Sequence, residues 1–466
     1  MSNTSQNTPG NTPQNNTPNT PQIPTKVGID RITFATTNCY LSMKDLAIAR
    51  GIDPNKFTIG IGQSQQAVPP NHQDIVTLGA QAALPLLPYI DSNRLKMVIV
   101  GTESGIDASK SSALYIHKLL NLSTWVRCVE VKEACYGGTA ALMMARDYVL
   151  AHPGAQVLVI AADIARYGVG TPGEVTQGAG AVAMLVSENP RVLQINDDSV
   201  VKSAEIQDFW RPVYQSTALA RGKFSTEQYI RMFCDVWQRY SAENDCNFND
   251  FEAICFHLPY TKMGLKALRA GFEANPGVSH TNDDVSITSD TRERLLARYQ
   301  DSTQYSRRIG NIYTGSLYLG LISLLDYDYF RNSCDPSESA VDSSAVACDS
   351  SAAYDSSSAT RPNESPLHPS SLLPGQKIGL FSYGSGAVAE FFSATLVPGW
   401  RSALFSNQHI KTLNNRTQLS VSQYEEMFNS AAPYSPQDFV SSQKNRSGAR
   451  FVLDSIKSQE RNYRSI

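Results

Sequence analysis

The chain has 466 residues, 41% of them hydrophobic and 18% charged, and its 40 basic and 43 acidic side chains give a formal net charge of −3. That length and apolar content suffice for one large core or two ordinary ones, and the charge balance excludes a general attraction to nucleic acid or anionic membrane. Any anionic ligand must be met by local positive groups.

Residues 1–25 repeat Asn, Thr and Pro without an apolar core or a basic start, so they read as a disordered tail, neither signal peptide nor membrane anchor. No later apolar run reaches the ~18 residues of a transmembrane helix. The eight cysteines form no Cys-x-x-Cys pair and no zinc-spaced cluster with histidine. Reduced thiols in a cytoplasmic protein without a metal are the expectation.

From Lys26 the pattern changes to short apolar strands alternating with amphipathic helices. Lys96 to Val100 and Val157 to Ala161 read as strands buried on both faces, each after a helix-like stretch, which is α/β patterning. A faint repeat links Gln177-Gly-Ala-Gly-Ala-Val-Ala183 with Tyr383-Gly-Ser-Gly-Ala-Val-Ala389. Its placement, late in each half, predicts two α/β halves related by duplication, spanning 26–190 and 191–466. Between about 334 and 374 the composition falls to Ser, Ala, Asp and Pro, the mark of a disordered surface insertion.

Five segments carry chemistry. Gly101-Thr-Glu103-Ser104 follows a buried strand, which puts a carboxylate at a carboxyl end where open α/β sheets bind ligands. Such a Glu is usually solvated, but in an apolar pocket its proton affinity rises and it becomes a general base. Cys135, in Glu133-Ala-Cys-Tyr-Gly-Gly-Thr139, lies between a strand reading (Val126 to Val131) and a helix reading (Thr139 to Leu150). There it is either a buried structural thiol or a nucleophile favoured as thiolate by the helix dipole, with Gly137 and Gly138 leaving room for an acyl group. His257 ends the strand reading Ala253 to Phe256. It is a satisfied buried histidine or, given a nucleophilic cysteine, an acid/base or carbonyl-polarising group. Lys262 and Lys266 open the next helix and are surface lysines or contacts for an anion. Gly310-Asn311 offers a turn residue or an oxyanion-type donor, and Ser382-Tyr-Gly384-Ser385-Gly386 brings backbone N–H groups close to a substrate.

In this order the segments resemble hydroxymethylglutaryl-CoA synthases from about Val27 to Phe428. The resemblance implies a thiolase-like fold, two αβα halves in a duplicated five-layer αβαβα core, and a homodimer. It implies an acyltransferase of the mevalonate pathway, with acetyl-CoA and acetoacetyl-CoA as substrates and no cofactor. In that scheme Cys135 takes the acetyl group as a thioester, Glu103 removes a methyl proton, and His257 binds acetoacetyl-CoA and polarises or protonates its carbonyl. Asn311 positions substrate, and the backbone at Gly384 and Ser385 holds an oxyanion. Asp163 and Tyr167 border the acetyl site, and Lys262 and Lys266 lie near CoA phosphates. Asp208-Phe-Trp-Arg211-Pro212 matches the family's Asp-Phe-Tyr-Lys-Pro with two replacements. A ketoacyl synthase III-type enzyme shares the Cys, His and Asn logic but needs no carboxylate base, and a dead scaffold of the same fold needs none of the four.

Overall fold

The computed structural model describes residues 26–215, 217–274, 287–333, 370–432, 435–442 and 448–466. The tail at 1–25 and most of the Ser/Ala/Asp/Pro-rich stretch, with Cys334 and Cys348, lie outside the described residues.

Ten strands hydrogen-bond into one mixed sheet. They are β1 (Val27–Thr36), β2 (Leu95–Gly101), β3 (Arg127–Val131), β4 (Gln156–Ala165), β5 (Gly178–Glu188), β6 (Leu193–Ile195), β7 (Val200–Ser203), β8 (Ala253–Phe256), β9 (Lys377–Gly384) and β10 (Val388–Leu396). Their order is β8-β9-β10-β6-β1-β5-β4-β2-β3, with β7 on β10. In the amino-terminal half β3, β2 and β4 run parallel, β5 returns antiparallel to β4, and β1, antiparallel to β5, runs in the direction of the first three. The carboxyl-terminal half repeats the logic: β8 and β9 are parallel, and β10 returns antiparallel to β9. Short β6 joins the halves by pairing with both β1 and β10.

Helices cover these strands in layers. The principal ones are α1 (Ile75–Ala83), α2 (Gly137–Ala151), α3 (Gly222–Glu243), α4 (Thr261–Ala274), α5 (Ser289–Ile309) and α6 (Ser316–Ser333). Side chains alternate across a strand. Gly79 of α1 faces Ile160 and Ala162 of β4, whereas Gly138 of α2 faces Ala161, so the two helices take opposite faces. On its other side α2 meets the second half: Thr139 hydrogen-bonds Tyr318 of α6 at 2.8 Å and Ser382 of β9 at 2.7 Å. Beyond β9 and β10, α3 presents Tyr229, Phe233 and Trp237 to Phe381 and Phe391. The sequence of layers is therefore helix, first-half strands, shared helices, second-half strands, helix.

The elements fall where the patterning puts them, to within a few residues at their ends. The strand readings at 96–100, 126–131 and 157–161 become β2, β3 and β4, and the helix after Cys135 starts two residues early, at Gly137. Small residues there let α2 approach the strands. A Cβ on Gly138 would lie 2.4 Å from the Thr314 carbonyl. Within residues 370–374, grouped with the insertion by composition, Leu372 is fully buried and its N–H donates to Asp328 at 2.7 Å. Arg298 of α5 bonds the Ser370 carbonyl, and Arg401 bonds that of Leu372.

Candidate active site

Three parallel strands of the first half deliver their ends to one place. Glu103 follows β2, Cys135 follows β3 after a short turn, and Asp163 lies near the end of β4. The residue before the cysteine, Ala134, has φ +42°, a left-handed conformation costing an ordinary residue about 1–2 kcal/mol. This bend aims the thiol away from the line of the strand. The Cys135 Sγ–H donates to Glu103 Oε1 at 3.0 Å.

That contact revises one expectation. The thiol was expected to favour thiolate in the field of the helix, yet burial first, and then the adjacent Glu103, push its proton affinity well above the usual thiol range. Burial also leads in raising Glu103, to about 8, with Asp163 and Glu133 adding and Cys135 and Arg211 opposing. The resting pair is thus a thiol bonded to a carboxyl group of unusually high proton affinity. From this geometry the thiol proton has one near acceptor, Glu103 Oε1 at 3.0 Å.

Asp163 is fully buried and organises the loops around this pair. One carboxylate oxygen accepts from Thr102 Oγ1, the Glu103 N–H and the Ser104 N–H, each at 2.9 Å. The other accepts from the Thr314 N–H at 3.0 Å and from its hydroxyl. A residue expected to border the acetyl site therefore fixes the Glu103 turn against the Asn311 segment.

Asn311 is fully oriented. Its Oδ1 accepts from the Tyr313 N–H at 2.8 Å and from Ser316 Oγ at 3.0 Å, which turns the amide NH2 the other way, where it hydrogen-bonds Tyr167. Tyr167, Phe209 and Tyr313 form an edge-to-face trio with centroids 5.9–6.3 Å apart, an aromatic wall beside the reactive pair.

His257 stands one residue past β8, its N–H donating to the Phe381 carbonyl at 2.8 Å and its own carbonyl accepting from Tyr229 at 2.6 Å. Burial lowers its imidazole to about 3, so it is neutral near pH 7 and can offer an N–H but not a stored proton. The Ser382–Gly386 loop closes on the cysteine turn. A Cβ at Gly384 would lie 2.6 Å from the Glu133 carbonyl and 2.7 Å from the Tyr136 nitrogen. The Gly386 N–H is taken by Asp208 at 3.1 Å and that of Ala387 by the Ala204 carbonyl, which narrows the donors available around Ser385.

A cleft of about 500 Å³ reaches Glu103 and Ser104, walled by Ile164, Phe209, Arg211 and Tyr313. Lys262 and Lys266 do not line it. Lys262 lies against Gly62, and Lys266 sits 5.9 Å from the Tyr260 ring. Arg166 and Arg211 are at the cleft instead. Both were legible only as members of longer segments, because no spacing rule tells a cleft arginine from a solvated one.

Two αβα halves on a shared helical layer, with a cysteine–carboxylate pair at the strand ends, define an acyl-condensing enzyme of the thiolase-like class. The sequence model described as hydroxymethylglutaryl-coenzyme A synthase N terminal matches residues 23–190. Over 402 residues the chain is 45% identical to a hydroxymethylglutaryl-CoA synthase of Enterococcus faecalis, covering 86% of this chain and 91% of that protein. It belongs to the hydroxymethylglutaryl-CoA synthase family. Among solved structures, an HMG-CoA synthase complexed with CoA superposes with a TM-score of 0.79 at 39% identity, covering 95% of this chain and 100% of the other. MvaS in complex with 3-hydroxy-3-methylglutaryl coenzyme A gives a TM-score of 0.77 at 31% identity and the same coverage.

Proposed function

We propose that this chain condenses acetyl-CoA with acetoacetyl-CoA and water to 3-hydroxy-3-methylglutaryl-CoA and free CoA, as a step toward isoprenoids in the mevalonate pathway. The observation that carries the reading is the 3.0 Å contact between the Cys135 thiol and the Glu103 carboxylate. Cys135 passes its proton to Glu103 and attacks the acetyl thioester, and the departing CoA sulfur takes that proton from Glu103 to leave as free thiol. Glu103, deprotonated again, removes a methyl proton from acetyl-Cys135, and the resulting carbon nucleophile attacks the ketone of acetoacetyl-CoA. The neutral His257 polarises that ketone through its N–H, and the new alkoxide takes up the proton that Glu103 removed from the methyl group. Water then cleaves the thioester, which frees the carboxylate of the product and restores the Cys135 thiol. Asn311, Tyr167 and the Gly384–Ser385 backbone orient the acyl oxygens, while Asp163 holds the Glu103 turn. Lys262 and Lys266 are kept as candidate contacts for the outer CoA phosphates, away from the cleft. Acetyl-CoA and acetoacetyl-CoA suffice as reactants, with no cofactor required by these steps.

The two halves 26–190 and 191–466 act as one catalytic unit, and the working form is a cytoplasmic homodimer. Supporting the dimer, β3 is an edge strand, and Trp125 (90% exposed), Val129 on β3 and Met144 and Leu150 on adjoining α2 expose apolar surface beside it. No described helix is long and apolar enough to cross a membrane.

The test is to incubate the protein with acetyl-labelled acetyl-CoA. Label should appear on the wild-type protein, be absent from Cys135→Ser, and leave as product when acetoacetyl-CoA is added. Label persisting on Cys135→Ser would move the nucleophile elsewhere. A decarboxylating condensation would instead turn over malonyl thioester and has no use for a carboxylate against the thiol.

A further inference from the structure

The segment after Asp208 carries groups to which the reaction scheme gives no part. Asp208 is fully buried and accepts from Tyr383 Oη at 2.9 Å, the Gly386 N–H at 3.1 Å and Ser225 Oγ at 3.0 Å, which ties it to the end of β9, the loop after it and α3. Three residues on, Arg211 reaches the opposite side of the site and its guanidinium donates to the main-chain carbonyl of Glu103. Between them Phe209 belongs to the aromatic wall. Segment 208–211 therefore straps the glutamate turn of the first half to the Ser382–Gly386 loop of the second.

We propose that Arg211 is a positioning residue for this reaction: it fixes the Glu103 main chain from the side opposite Asp163 and holds a positive charge at the base. The inference rests on the reading of Glu103 as the base. The peptide units flanking the Glu103 Cα are pinned at both ends, the N–H by Asp163 and the carbonyl by Arg211, so the carboxyl can move only by rotating its side chain. Precise placement matters because a proton moves between this carboxylate and atoms about 3 Å away.

The charge matters for a second reason. Glu103 faces Asp163 on β4, Glu133 and Cys135 on the turn after β3, and the hydroxyls of Tyr167 and Tyr313 across the wall. Burial and the two acidic neighbours raise its proton affinity, and Arg211 counters them. A guanidinium suits this place because its planar fork can serve a carbonyl while facing a carboxylate.

The experiment compares the pH dependence of kcat/KM for acetyl-CoA in wild type, Arg211→Gln, Arg211→Lys and Glu103→Gln, following acetoacetyl-CoA consumption. Removing an opposite charge beside a carboxyl raises its proton affinity, so the rising limb of Arg211→Gln should move up by about one pH unit. Its activity should fall roughly tenfold at pH 7 and recover partly at pH 9. Arg211→Lys should keep the limb near its wild-type position with a reduced plateau, since the charge is retained and the fork lost. A role confined to folding would lower the plateau and leave the limb where it was. An unmoved limb in Arg211→Gln, or one displaced equally in Arg211→Lys, overturns the proposal. If the limb survives in Glu103→Gln, the assignment of Glu103 as base fails, independently of Arg211.

Discussion

The two Gly-x-Gly-Ala-Val-Ala segments occupy matching places in the two halves and do different work. In the second half the segment is itself the turn of the β9–β10 hairpin: Gly384 ends one strand and Val388 begins the next. In the first half the matching strands, β4 and β5, are separated by residues 166–177, and this longer connection supplies Tyr167. Yet each first glycine is kept bare by a loop of the other half. Gly384 faces Glu133 and Tyr136 of the cysteine turn, and Gly178 faces Ile309, Gly310 and Asn311, with a Cβ there only 2.6 Å from the Asn311 carbonyl. The repeat thus makes two crossed contacts, one on the turn that carries Cys135 and the other on the turn that carries Asn311.

The difference can be broken experimentally, beginning at the chemistry. Cys135→Ala should abolish acetyl transfer to the protein altogether. Glu103→Gln should slow condensation by roughly 10²–10⁴-fold. Because the thiol bonds that carboxylate, acetylation should slow as well, though less, which single-turnover labelling would read. Normal acetylation in this variant would show that the contact is not the route of the thiol proton.

Gly384→Ala and Gly178→Ala then separate the two crossed contacts. The first drives a methyl into the cysteine turn and should lower the acetylation rate by about tenfold or more, at a cost of ~1–3 kcal/mol in stability. The second should leave acetylation near wild type and depress the condensation step through Asn311. Equal loss of both steps in both variants would mean that the turns are not specialised.

The smallest effect is in stability against pH. Glu103 binds its proton more tightly when folded, at about 8, than an unfolded glutamate at about 4.3. Between these values the native state holds more protons, so this group's contribution to stability declines as pH rises from the lower value to the upper and then levels off. Glu103→Gln should therefore gain thermal stability over wild type at pH 8.5 and lose most of that gain at pH 4. A melting difference that does not change with pH would place the carboxyl in a less buried setting.

Much of this site was legible because its residues sit at ends of periodic elements. Apolar strands stopping at Gly101 and Phe256 mark where Glu103 and His257 must emerge, and the glycines after Cys135 mark a close approach before any partner is known. The insertion shows the limit of composition: Leu372 lies in a Ser- and Pro-rich stretch yet fills the core, since one leucine gives no periodic signal. The lysines of α4 show another limit. They carry the right charge for phosphates, but which wall of a cleft a helix face meets is a question of packing.

What the sequence by itself determined was which polar groups stand at the ends of apolar strands, the α/β patterning and the repeated glycine segment, because each depends on local pattern. Tertiary structure decided what those groups are: a thiol rather than a thiolate, a carboxyl whose affinity for protons is lifted to about 8, and an imidazole held neutral. These states follow from burial and from neighbours such as Asp163 and Arg211, 60 and 108 residues from Glu103 in the chain. Proton affinity depends on desolvation and on charges within a few ångströms, and neither distance is written in the order of residues.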